Sequence, residues 1–62
     1  MAVVNDLRAT AKDLREFAGQ IRSNNEAVPY PTADLDALRL EKAATQLEEA
    51  ADELERLRKT GA

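Results

Sequence analysis

A chain of 62 residues with no cysteine, no histidine, one phenylalanine and one tyrosine is one domain at most. It has neither disulfides nor a zinc site to staple it, so very regular helix packing, oligomerisation, or both must hold it. The net charge of −3 argues against direct nucleic-acid or anionic-membrane binding. No apolar run approaches the ~20 residues of a membrane span, and MAVVNDLR is too short and too early charged for a signal peptide, so a cytoplasmic location is expected.

The first predicted element is a helix over about 3–24. Val4, Leu7, Ala11, Leu14, Ala18 and Ile21 form a heptad series, with Val4, Ala11 and Ala18 at a and the longer side chains at d. Its start falls between Ala2 and Asp6, where Asn5 is the best capping candidate because its side-chain oxygen can accept from an orphan amide. Gly19 falls on the outer face, at a cost of roughly 1 kcal/mol against alanine. Ser23-Asn24-Asn25 is a fitting end, since asparagine tolerates the left-handed conformation of helix C-termini.

A connector over about 25–32 follows. Val28-Pro29-Tyr30-Pro31 forbids a continuous helix, and the two prolines bias the segment to an extended form.

The second helix is predicted over about 33–60. Leu40, Ala44, Leu47, Ala51 and Leu54 mark its stripe, at alternating spacings of four and three. Asp34 and Asp36 stand in its first turn, Arg56, Arg58 and Lys59 in its last, and Gly61 follows, all as the helix dipole and C-cap prefer. Asp52 with Arg56 and Glu55 with Lys59 are acid-before-base pairs four apart. Small residues at a and large ones at d allow two such helices to approach closely.

The positions beside the stripes decide the assembly. The e positions are Arg8, Arg15 and Arg22 in the first helix, and Asp34, Glu41, Glu48 and Glu55 in the second. In an antiparallel pair e faces e, so arginines meet carboxylates. Two registers satisfy the charges: one sets Arg22, Arg15 and Arg8 against Glu41, Glu48 and Glu55, and the other against Asp34, Glu41 and Glu48. Exposed pairs add little energy; they set orientation and partner choice.

The g flank is apolar. It offers Val3, Thr10 and Phe17 from the first helix and Ala43, Ala50 and Leu57 from the second. A hairpin alone leaves that flank uncovered, and a second copy would bury it. The expected fold class is therefore all-α: an antiparallel helical hairpin, dimerising into a four-helix bundle, with those six residues at the dimer interface.

Leu35 and Leu38 lie off the stripe, near Val28 and Tyr30. Either the connector folds back and makes a satellite cluster with them, or Tyr30, Leu35 and Leu38 form an exposed patch that docks a partner protein.

No catalytic constellation is present. With no histidine base and no cysteine nucleophile, the five Ser and Thr hydroxyls lack an activating group. The Glu-x-x-His motif of di-iron bundles cannot occur. Asp34-Leu35-Asp36 lacks the glycine and later ligands of a calcium loop. No metal, cofactor or enzymatic activity is expected.

Two binding readings stand beside ordinary solvated surface. Glu48, Glu49, Asp52, Glu53 and Glu55 form an acidic run of the kind a nucleic-acid mimic would show. Arg8, Lys12, Arg15 and Arg22 would clamp a small anionic, nucleotide-like ligand in a cleft between protomers if the glutamates left them unoccupied.

The C-terminal run QLEEAADELERLRK resembles the endings of many short helical proteins encoded by phages and prophages. The resemblance implies an accessory factor that inhibits or modulates a host protein or sequesters a signalling molecule, and it assigns no residue a role. The resulting expectation is a non-catalytic, oligomeric binding protein. Ligand sequestration, nucleic-acid mimicry and a purely structural assembly module are the alternatives.

Overall fold

The computed structural model describes residues 2–61 and contains two helices, α1 (Ala2–Ala27) and α2 (Ala33–Thr60). They pack side by side as an antiparallel hairpin: as the α1 arginines step down from 22 to 15 to 8, their α2 partners step up from 41 to 48 to 55. Among the described residues no helix is long and apolar enough to cross a membrane.

The buried seam is built almost wholly from alanine. Ala11 and Ala18 of α1 and Ala37, Ala44 and Ala51 of α2 are fully buried, as are Ala33 and Val4 to within 2%. These are the a positions, joined by Ala33 at d. The stripe of α2 thus reaches two steps further back than the Leu40 start read from sequence.

The long d side chains, Leu7, Leu14, Ile21, Leu40, Leu47 and Leu54, are only half-buried. Two helices in contact through methyl groups come close together, and the flanking leucines are then left leaning over one edge of the seam. Each buried methyl contributes under ~1 kcal/mol, so the seam alone makes a thin core.

α1 begins at Ala2 and carries Asn5 inside its helix, which corrects the expectation of an Asn5 cap. Winding the first turn brings Val4 into the seam, and burying a valine is worth about 1.5 to 3 kcal/mol. That outweighs a cap of roughly 1 kcal/mol.

The other end of α1 also runs three residues past the expected stop. Asn24 and Asn25 remain helical, and no described residue has a positive φ. The helix stops at Ala27 because Val28 precedes Pro29, and proline drives its predecessor out of the helical region. Asn24 and Asn25 still finish the helix by another route. The Asn24 carbonyl accepts from the Val28 N–H at 2.8 Å, and Asn25 Oδ1 accepts from the Tyr30 N–H at 3.0 Å.

The connector is therefore Val28 to Thr32, shorter than the 25–32 read from sequence. The Ala33 N–H donates to the Tyr30 carbonyl at 3.3 Å to close the turn into α2. Thr32 precedes α2 without a side-chain cap and instead donates to Asp36 Oδ2 at 3.3 Å. At the far end the Gly61 N–H donates to the Leu57 carbonyl at 2.8 Å, and the Thr60 hydroxyl donates to the carbonyls of Arg56 and Leu57. Gly61 sits in the right-handed helical region at φ −83°, so it ends the helix without the left-handed turn that usually selects glycine.

Gly19 faces open space, with nothing within 4 Å of where a Cβ would stand. Gly19→Ala should therefore stabilise the fold by about 0.5 to 1 kcal/mol, read as a rise in the midpoint of denaturant unfolding with an unchanged slope.

Candidate functional site

The two edges of the hairpin are chemically unlike, and each carries candidate binding residues. On the e edge Arg22 Nη1 donates to Glu41 Oε2 at 2.8 Å. Arg15 holds the Glu48 carboxylate with both Nε and Nη2, and Nη2 also donates to Thr45 Oγ1 at 3.1 Å. Arg8 Nη2 lies 2.9 Å from Asp52 Oδ1 and 3.1 Å from Glu55 Oε1. Of the two registers the charges allow, the chain adopts the one that ends on Glu55.

The local pairs expected within α2 are replaced. Asp52 and Glu55 turn across the hairpin to Arg8 rather than along α2 to Arg56 and Lys59, and Arg56 takes Glu53 instead. A guanidinium placed between two carboxylates of a neighbouring helix outcompetes a single partner four residues on.

The ion pairs shift the titration of their members. The hydrogen bond from Arg15 holds the Glu48 carboxyl below its ordinary value against the opposing effect of desolvation, and the same bond raises the Arg15 guanidinium. Arg8 is raised by its bond to Glu55 first and to Asp52 second.

A carboxyl depressed in the folded state contributes stability that is present above its unfolded pKa, about 4.3. That contribution is lost as pH falls through the folded value. The melting temperature should therefore hold between neutrality and about pH 5 and decline below roughly pH 4.3. Glu48→Gln should give a shallower decline. An equally steep one would show that the Arg15–Glu48 pair contributes nothing.

These pairings bear directly on the anion-clamp residues. Arg8, Arg15 and Arg22 form one row, and each already holds a carboxylate; Lys12 is exposed beside them. A phosphate would have to displace glutamates from all three arginines. The acidic run is likewise diluted, since Glu48, Asp52, Glu53 and Glu55 each hold an arginine.

The depression at the end of α2 is shallow and open, lined by Glu55, Arg58 and Lys59. Among the described residues no three acidic side chains are placed to hold a metal ion.

The opposite edge is apolar. Val3, Phe17 and Leu57 stand on it with about half their surface in solvent, Phe17 at 54% and Leu57 at 52%. Thr10 and Ala50 are exposed there and Ala43 is half-buried. The half-buried d leucines continue this face inward to the seam, so the hairpin presents a continuous apolar strip along one side.

A second apolar cluster lies at the connector end. Val28, Tyr30, Leu35 and Leu38 are all exposed, Leu38 at 56%. The fold-back that would cover Leu35 and Leu38 does not form. The connector is only Val28 to Thr32, and the Tyr30 backbone is tied to Asn25 on α1.

Comparison of the chain with protein families, with characterised proteins and with solved structures finds no match.

Proposed function

We propose that this chain is a non-catalytic, self-associating binding module whose working form is a homodimeric four-helix bundle. It acts as a small accessory factor on a partner protein, in the manner of phage-type accessory proteins.

One observation carries the reading: the hairpin seals a single edge. Its charged edge is closed by its own ion pairs, while Val3, Phe17, Leu57 and the d leucines remain open on the other. The area agrees. A compact monomer of this mass would expose about 4,000 Å² and have a radius of gyration near 11 Å. The hairpin exposes 4621 Å² and has a radius of 14.8 Å. The surplus of roughly 600 Å² is close to the ~800 Å² that each partner contributes to a stable interface.

In the bundle the arginines stay with their glutamates, and the Tyr30, Leu35 and Leu38 patch remains outside the interface, available to the partner protein. Occupied arginines favour this reading over anion sequestration.

Thermal unfolding tests it. A dimer whose folding and association are coupled melts at a temperature that rises with protein concentration. A folded monomer melts at one temperature throughout, and that result would overturn the proposal. The double variant Leu35→Ser/Leu38→Ser should keep its fold at a cost within about 1 kcal/mol, the helix-propensity difference of two exposed sites. Loss of the fold would make the patch structural and remove it as a docking surface.

A further inference from the structure

The free edge is not uniform along its length, and its polar members decide how a second copy can lie on it. Read from the connector end, the g positions of α1 are Asn24, Phe17, Thr10 and Val3, and those of α2 are Asp36, Ala43, Ala50 and Leu57. The ion pairs fix the levels of the two helices, with Arg22 beside Glu41 and Arg8 beside Glu55. Asn24 and Asp36 therefore share one end, and Val3 and Leu57 the other.

Two fully overlapped arrangements bring free edge to free edge. With both connectors at the same end, α1 lies along the partner's α2 and level meets level. Val3 then meets the partner's Leu57, Phe17 packs over the partner's Ala43, and Thr10 lies beside Ala50. The amide of Asn24 meets the carboxylate of the partner's Asp36 at the wet end of the bundle. Large side chains face small or apolar ones, and polar groups face each other.

With connectors at opposite ends, α1 lies along the partner's α1 and α2 along its α2. Leu57 then covers the partner's Asp36, and Val3 covers the partner's Asn24. Each contact sets a polar group against an apolar one, so neither Asn24 nor Asp36 gains a hydrogen bond across the interface, Asp36 keeping only its bond from Thr32, and each contact gives up an apolar partner. Sliding this arrangement by one heptad, about 10 Å, repairs the mismatches but leaves about 10 Å at the connector end of each 51 Å hairpin uncovered.

Building on the self-association just described, we propose that the second copy binds with both connectors at the same end, α1 against the partner's α2. The two-fold axis then runs along the bundle, and one end of the dimer displays both Tyr30–Leu35–Leu38 patches.

The chain has no cysteine, so a single Val28→Cys substitution in the exposed connector gives each protomer one nitroxide. Pulsed dipolar spectroscopy then reads the separation of the two connectors, while light scattering on the same sample reads the mass. Same-end packing places the labels across a bundle of helices spaced ~8 to 10 Å, within about 30 Å of each other. Opposite-end packing of hairpins 51 Å long places them more than about 40 Å apart. A dimeric mass with the short distance is the expected result. A dimeric mass with the long distance overturns the arrangement and leaves self-association standing, whereas a monomeric mass overturns both.

Discussion

Phe17→Asp is expected to separate the two protomers and to lower the melting temperature at any fixed concentration. Phe17 keeps 54% of its surface in solvent within one hairpin. For a side chain of its size that is roughly 100 Å² of apolar area that the proposed second copy would cover. At about 25 cal/mol per Å² the covering is worth around 2.5 kcal/mol per protomer and about 5 kcal/mol per dimer. The dissociation constant should rise by at least 10³-fold, and further because aspartate brings a charge into the interface. Sedimentation velocity over a dilution series reads this directly. The same substitution at Glu16, exposed on the outer face, should leave the association unchanged.

Ala44→Leu attacks the other half of the design. Ala44 is fully buried between the helices, at the level of Ala18. Three added carbons cannot fit between alanines, so the helices must separate or α2 must rotate. Either movement also pulls Glu41 and Glu48 away from Arg22 and Arg15. Overpacking costs typically about 1 to 3 kcal/mol, and the upper end is expected where the neighbouring Ala11, Ala18 and Ala51 are all fully buried as well. In a domain of this size that lowers the melting temperature by about 10 to 20 °C. Ala9→Leu, on the exposed outer face, adds the same volume and should change it little.

The two helices, their antiparallel sense and the charged edge were legible because each is written as a period. The arginines and the glutamates both occupy e positions, and e faces e only when the helices run in opposite directions. The register was not legible, since Asp34 and Glu55 served equally well as the end of the acidic row. What decides it is overlap. With Arg22 opposite Glu41, Arg8 reaches Asp52 and Glu55, and Val4 is covered near the end of α2. One heptad back, roughly the last heptad of α2, about 10 Å, would run past the start of α1 and lose its packing.

The end of α1 lies three residues past the one the sequence suggests. Three polar residues looked like a terminus, but the stop is imposed by Pro29 on Val28, and the asparagines act from within the last turn. At the other end, both the cap preference of Asn5 and the place of Val4 on the stripe were visible, and the structure resolves their competition in favour of burying Val4. Local signals are readable residue by residue, whereas a gain made across the hairpin needs the register first. The apolar edge was legible as composition at g. Its exposure in the single hairpin, and the extra exposure of the d leucines, follow from an alanine seam tight enough to push them aside.

One edge of this hairpin closes on its own ion pairs, and the proposed second copy closes the other. Sedimentation equilibrium on the unmodified chain, at neutral pH and from low to high micromolar concentration, decides between one chain and two. A mass of two chains is expected, with dissociation only at the dilute end. A helical protein with the mass of one chain across the whole range would contradict it.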